Sequence, residues 1–158
     1  MIYILLGANL GNRVQTLNRA VDLISERVGP VLHGSSFYET APWGVTDQPA
    51  YVNQVLAVET TFLPEEVLIQ TQGIEQELGR VRLEKWGARV IDIDILFYDQ
   101  LMLRTDALTI PHPLLHQRRF TLVPLAEIAP DFVHPILQKT TLELLADCED
   151  EGEVMLVY

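Results

Sequence analysis

Apolar and polar residues follow two rhythms along this 158-residue chain. Residues 1–7 are mostly apolar and predict a first strand ending at Gly7. Val14, Leu17, Val21, Ile24 and Val28 then recur every third or fourth position, which is the stripe of a helix lying on a core. Asn12 is placed to cap that helix, and Gly29-Pro30 to stop it. Residues 31–39 suit a second strand. Residues 40–50 carry two prolines and a glycine and predict a loop. Residues 51–60 alternate, are rich in β-formers and predict a third strand. Pro64 fits the first turn of a second helix. Its inner stripe is Val67, Thr71, Ile74 and Leu78, and Gly79 is placed to end it. Residues 80–89 predict a charged loop around Trp86, and a last strand follows from residue 90. On that strand Ile91, Ile93 and Ile95 face one way, and Asp92 and Asp94 the other.

The order strand, helix, strand, strand, helix, strand is the split-βαβ, ferredoxin-like pattern. It predicts an α+β fold: an antiparallel sheet with both helices on one face and a ligand site on the other. Residues 100–158 are expected to add a proline-punctuated extension, a short helix near 141–147 and a final strand at "VMLVY". Neither a second domain nor a repeat is evident, so one domain over residues 1–158 is expected.

Composition narrows the function. The formal net charge of -11 argues against a nucleic-acid-coating surface. A local arginine cluster could still hold a small anion. A single cysteine, Cys148, excludes an intrachain disulfide and suits a reducing compartment. The apolar start lacks a basic leader, and no run approaches the roughly 18 apolar residues of a spanning helix. The expectation is a soluble, cytoplasmic protein that acts as a monomer, without membrane or nucleic acid as partners.

Against that background the two aspartates stand out, because a carboxylate on a core strand is costly unless something positive meets it. Asp92 and Asp94 could simply form a polar face toward water. They could also bind a hard cation each, or bridge two ions about 4 Å apart. Arg80, Arg82 and Arg89 lie close in sequence, and guanidinium forks match phosphate oxygens. Those arginines could instead merely balance Asp92, Asp94 and Glu84. Trp86 in their midst suits a lid that closes over a ligand, or a surface anchor. Tyr51 and Asn53 share a strand face, which suits a flat heterocycle stacked on the ring and read by the amide. Phe120 could supply the opposite stacking face, although Tyr51 and Phe120 also read as core residues. His112, His116, Arg118 and Arg119 gather in "PHPLLHQRRF" and suit phosphate contacts better than zinc. Gln72 and Glu75 share a polar face of the second helix. No P-loop and no G-x-G-x-x-G occurs, so a nucleotide would be held without the usual glycine cradle.

Longer stretches carry more. "KWGARVIDIDIL" (85–96) resembles the signature of the 6-hydroxymethyl-7,8-dihydropterin pyrophosphokinases of folate biosynthesis. "LLGANLGNR", "SSFYETAPWG", "DQPAYVN" and "PHPLLHQRRFTLVPLAEIAP" resemble further segments of that family, in the same order. The resemblance implies a ferredoxin-like fold and the reaction of ATP with the reduced pterin to give AMP and the pterin diphosphate. It implies that Asp92 and Asp94 hold two Mg²⁺ ions, and that Arg82 and Arg89 serve the phosphates with Arg80 in support. It implies that Gln72, Glu75, Trp86, Ile95, Thr109, His112 and Arg118 line the ATP site. Thr40, Ala41, Trp43 and Asn53 would bind the pterin between the rings of Tyr51 and Phe120. Two rival readings fit the topology or the D-x-D alone. One is a regulatory module that binds a metabolite without turnover; the other is a nucleotidyl or glycosyl transferase.

Overall fold

The structure is a computed structural model that describes residues 1–40, 50–79 and 90–157. The first strand, β1 (Ile2–Ala8), is central. It pairs antiparallel with β4 (Tyr51–Val58) on one side and β5 (Asp92–Tyr98) on the other. On the far side of β4 lie β2 (Val31–Gly34) and β3 (Tyr38–Thr40), each paired with β4. These two pieces occupy the single strand predicted for residues 31–39. The break comes where the Ser36 N–H turns away from the sheet to a carboxylate, that of Glu127.

The helix α1 (Arg13–Arg27) starts at Asn12, whose side-chain oxygen accepts the Gln15 N–H at 3.1 Å. Its path beyond Arg27 is fixed by Gly29: a Cβ there would sit 1.8 Å from the Glu59 carbonyl oxygen. The helix α2 (Pro64–Gly79) buries the predicted stripe Val67, Thr71, Ile74 and Leu78. Both helices cover one face of the sheet. Ile2, Ile4, Leu6, Val52, Leu56, Ile93 and Ile95 point at them and form the larger core with Leu17, Ile24 and Ile74. Within that core, alternation along the strands sets which residues of β1, β4 and β5 are in and which are out.

The other face is half covered, a feature the sequence reading did not anticipate. The short strands β6 (Leu103–Arg104) and β7 (Thr109–Ile110) pair with each other, and β7 packs beside β5. The helix α3 (Arg119–Ile128) then lays Leu122 and Leu125 on Leu5, Val55, Leu96 and Phe97, making a second core. It runs through Pro124, which removes one helical hydrogen bond without ending the helix. The helix α4 (Thr141–Asp147) has the predicted bounds and begins with a capping box between Thr140 and Glu143. The last strand among the described residues is β8 (Val154–Leu156), which pairs with β3 and gives the sheet order β5-β1-β4-β3-β8. No helix among the described residues is long and apolar enough to cross a membrane.

Candidate active site

On the part of the far face that no described element covers lies a pocket of about 510 Å³. Its floor follows from strand register. Gly7 of β1 sits opposite Asn53 of β4 and opposite Asp92 of β5, so the three form one row across the sheet. The next row holds Asp94, Leu5 and Val55. Neighbouring strands lie about 4.8 Å apart, so Asp92 and Asn53 flank the glycine at roughly 10 Å from each other. Glycine at the centre of the row is a packing requirement. A Cβ on Gly7 would lie 2.7 Å from the Asn53 side-chain nitrogen.

Asn53 is buried, and its Nδ2 donates to the Leu6 carbonyl at 3.2 Å. Its Oδ1 and the Thr40 hydroxyl are buried without a hydrogen-bond partner among the described residues, and both residues line the pocket. Buried polar atoms are rarely left unmatched, so this end of the pocket is suited to a ligand bearing donors and acceptors on its edge. Tyr51 and Phe120 supply aromatic walls. The Arg118 guanidinium lies 5.6 Å from the Phe120 ring centroid, over its face. Asp92 and Asp94 are half-buried at the opposite end.

The sequence candidates therefore divide. Thr40, Tyr51, Asn53, Asp92, Asp94, Arg118 and Phe120 line one pocket. Glu75, Thr109 and His112 instead follow the outer edge of β5. Glu75 accepts the Ile93 N–H at 2.8 Å, between the two aspartates, and the His112 N–H bonds the Leu96 carbonyl at 3.0 Å. Thr109 belongs to β7, beside that edge. Gln72 is exposed on α2, one turn before Glu75. The Ile95 side chain lies in the core against α1 and α2, so it is the main chain that this residue presents to the β5 edge. Ala41, Trp43, Arg80, Arg82, Trp86 and Arg89 lie outside the described residues.

His112 joins the two groups electrostatically. Burial holds its pKa below the usual histidine value; Asp94 pulls it up and Arg118 pushes it down. Its Nδ1 accepts the Leu114 N–H at 3.1 Å, so the neutral ring carries its proton on Nε2 and can donate from there. Among the described residues no three His, Cys, Asp or Glu side chains gather as a metal cage. Two pocket-facing carboxylates are nevertheless the donor set that magnesium takes when phosphate oxygens and water complete its shell.

Leu5, Gly7, Leu114, Gln117 and Asp150 also line the pocket and were missed in the sequence. Gly7 ends the first predicted strand, and a glycine beside an apolar run is a usable signal of close approach. Asp150 gives no such signal, since it is one acid among several in "CEDEGE".

The model of 7,8-dihydro-6-hydroxymethylpterin-pyrophosphokinase (HPPK) matches residues 3–130. The chain belongs to this family. It is 44% identical over 155 residues to the 2-amino-4-hydroxy-6-hydroxymethyldihydropteridine pyrophosphokinase of Haemophilus influenzae, covering 98% of this chain and 96% of that one. It is 39% identical over 142 residues to the protein of the same name from Aquifex aeolicus, covering 90% and 88%. A 44% match over 135 residues to the folic acid synthesis protein fol1 of Pneumocystis carinii spans 18% of that longer protein. A crystal structure of Plasmodium falciparum HPPK-DHPS superposes with a TM-score of 0.77 at 17% identity, over 92% of this chain and 45% of that chain, and so bears on the fold. The matched residues contain β1 from Tyr3 onward, β2 to β5 and α3, and hence every pocket-lining residue except Asp150.

Proposed function

We propose that this chain transfers the diphosphate of ATP to the hydroxymethyl group of 6-hydroxymethyl-7,8-dihydropterin, giving AMP and the pterin diphosphate. The observation that carries the assignment of sites is the sheet row Asp92–Gly7–Asn53, with aromatic residues beside the amide end. The pterin lies over Gly7, stacked between Tyr51 and Phe120. Its edge meets the unmatched Asn53 Oδ1 and the Thr40 hydroxyl. That orientation aims the hydroxymethyl arm along the row toward Asp92.

The nucleotide follows the outer edge of β5, past Gln72, Glu75, the main chain of Ile95, Thr109 and His112. Its triphosphate reaches the pocket where Asp94, His112 and Arg118 sense one another. His112 donates from Nε2 to a phosphate oxygen, and Arg118 offers a guanidinium fork. Asp92 and Asp94 would hold magnesium, two ions in this reading, which would supply charge neutralisation for the triphosphate. Arg82, Arg89 and Arg80 add positive charge, Trp86 helps exclude water, and Ala41 and Trp43 complete the pterin side. The pterin hydroxyl attacks the β-phosphorus in line and AMP departs, an arrangement in which positioning and charge do most of the work.

Incubation with ATP, Mg²⁺ and the reduced pterin, followed by identification of the nucleotide product, tests this. AMP together with pterin diphosphate is expected. ADP, free pyrophosphate or unconsumed ATP would refute it, and would bring back the transferase or the binding module.

A further inference from the structure

The chain beyond residue 130 lies outside the family match, yet it returns to the pocket at two points. At the first, α3 begins directly after Arg118 and has no side-chain cap of its own. The carboxylate of Asp150, 31 positions away, accepts the Arg119 N–H on Oδ2 at 3.0 Å. Its Oδ1 accepts the Gly152 N–H at 2.9 Å, which fixes the carboxylate's own orientation. At the second, β8 pairs Val154 with Thr40, Met155 with Glu39 and Leu156 with Tyr38, and so backs the strand that carries Thr40. Asp150 itself lines the pocket beside Arg118 and Phe120.

We propose that Asp150 is a positioning residue of the pterin pocket. It caps α3 from the C-terminal segment and thereby fixes Arg118 and Phe120, which flank the capped N–H, against the floor of β1 and β4. The acidic segment that solubility alone would explain thus has one member with a site role. Glu149 and Glu151, its exposed neighbours, have none. The physical basis is that an acceptor on the first free N–H groups of a helix orders its first turn, and an acid there also meets the positive helix end. With the cap removed, the first turn frays, and Phe120 and Arg118 lose their fixed approach to the ligand.

This inference rests on the pterin reading of the pocket, and steady-state kinetics separate the two. Absence of AMP from the wild-type enzyme would overturn the reaction and leave the inference without its substrate. With an active wild type, Asp150→Ala should raise the KM for the reduced pterin about five- to tenfold, the factor expected for a lost cap, with kcat changed less. Asp150→Asn keeps an oxygen acceptor and should restore KM to within about twofold. Glu149→Ala and Glu151→Ala should match wild type. Gly152→Ala supplies a second route: its Cβ would stand 3.0 Å from the Asp150 Oδ1 and press on the carboxylate, so KM should rise in the same direction. It decides the matter should Asp150→Ala fail to fold. Unchanged pterin KM in the folded variants, or a fall in kcat that merely tracks a lower melting temperature, overturns the proposal.

Discussion

Gly7→Ala probes the pocket floor with a single methyl group. Backbone strain does not enter, because Gly7 lies within a regular strand ladder. The whole effect is steric: the new Cβ would meet the Asn53 Nδ2 at 2.7 Å and the Tyr51 ring at 3.6 Å. The first contact is too short for any side chain, so the amide must swing off the Leu6 carbonyl to which it donates at 3.2 Å. Losing one buried hydrogen bond costs about 1 kcal/mol, and overpacking adds about 1–2 kcal/mol. For a domain of this size that sum lowers the melting temperature by roughly 5–10 °C. In the proposed reading the same displacement takes away the amide that faces the heterocycle, and a loss of about 2 kcal/mol there weakens pterin binding roughly thirtyfold. Thermal melting with and without the reduced pterin, and a fluorescence titration of the pterin, measure both effects. Asn53→Ala in the same chain removes the colliding group, so the double variant should be more stable than the two single losses predict. A Gly7→Ala protein that melts and binds like wild type would refute the row geometry.

Asp92→Ala and Asp94→Ala should each abolish AMP formation while melting close to wild type; full activity in either removes the metal assignment. Chelation of Mg²⁺ by EDTA should eliminate ATP binding in calorimetry and leave pterin binding nearly intact, since the amide end of the pocket needs no metal; equal loss of both would contradict the division of the site. Trp86→Ala or Arg82→Ala should slow turnover more than it weakens pterin binding, and a fall in pterin affinity alone would remove their role over the phosphates. Burial, reinforced by His116, holds the His134 pKa below its usual value, and its Nδ1 accepts the Ile136 and Leu137 N–H groups. The unfolded chain therefore takes up this proton first, so stability is full above about pH 6.5 and declines as pH falls toward the lower folded value. Denaturant midpoints at pH 7.5 and 5.5 should show that decline, and His134→Gln should flatten it.

Much of the fold was legible because one-dimensional rhythm and three-dimensional burial agreed. The stripes of α1 and α2 name nearly the residues that reach the core, and Ala20 joins them because it lies three positions after Leu17 and four before Ile24, on the same helical face. Asn12 and Pro64 did the end-setting work that their chemistry suggests, and Gly79 is the last described residue of α2. Two things were hidden. Pro124 masked α3, since a proline in a helix interior usually marks a break; at the sixth position of a ten-residue helix it removes one hydrogen bond, and the Leu122 and Leu125 contacts hold the rest. The division of β2 from β3 was also invisible, because its cause is a partner 91 residues away: the Glu127 carboxylate takes the Ser36 N–H and the Tyr38 hydroxyl. Burial and that carboxylate push the Tyr38 pKa up to about 12, so the phenol stays protonated and keeps donating.

The site was legible to the extent that its residues share a strand. Period two along β5 puts Asp92 and Asp94 together on the far face, and the same period along β4 does so for Tyr51 and Asn53. What period cannot supply is register between strands. That Gly7 falls between Asn53 and Asp92 depends on how β1 slides against β4 and β5; a slip of β1 by one residue would put Gly7 on the face opposite to Asn53 and Asp92. Asp150 is one step further removed, because it enters through the packing of α4 and β8 rather than through any strand pattern. The parts of this site that bind by chemistry could be named from residue type and spacing. The parts that hold them in place, a missing side chain at Gly7 and a borrowed cap at α3, exist only once the sheet has closed.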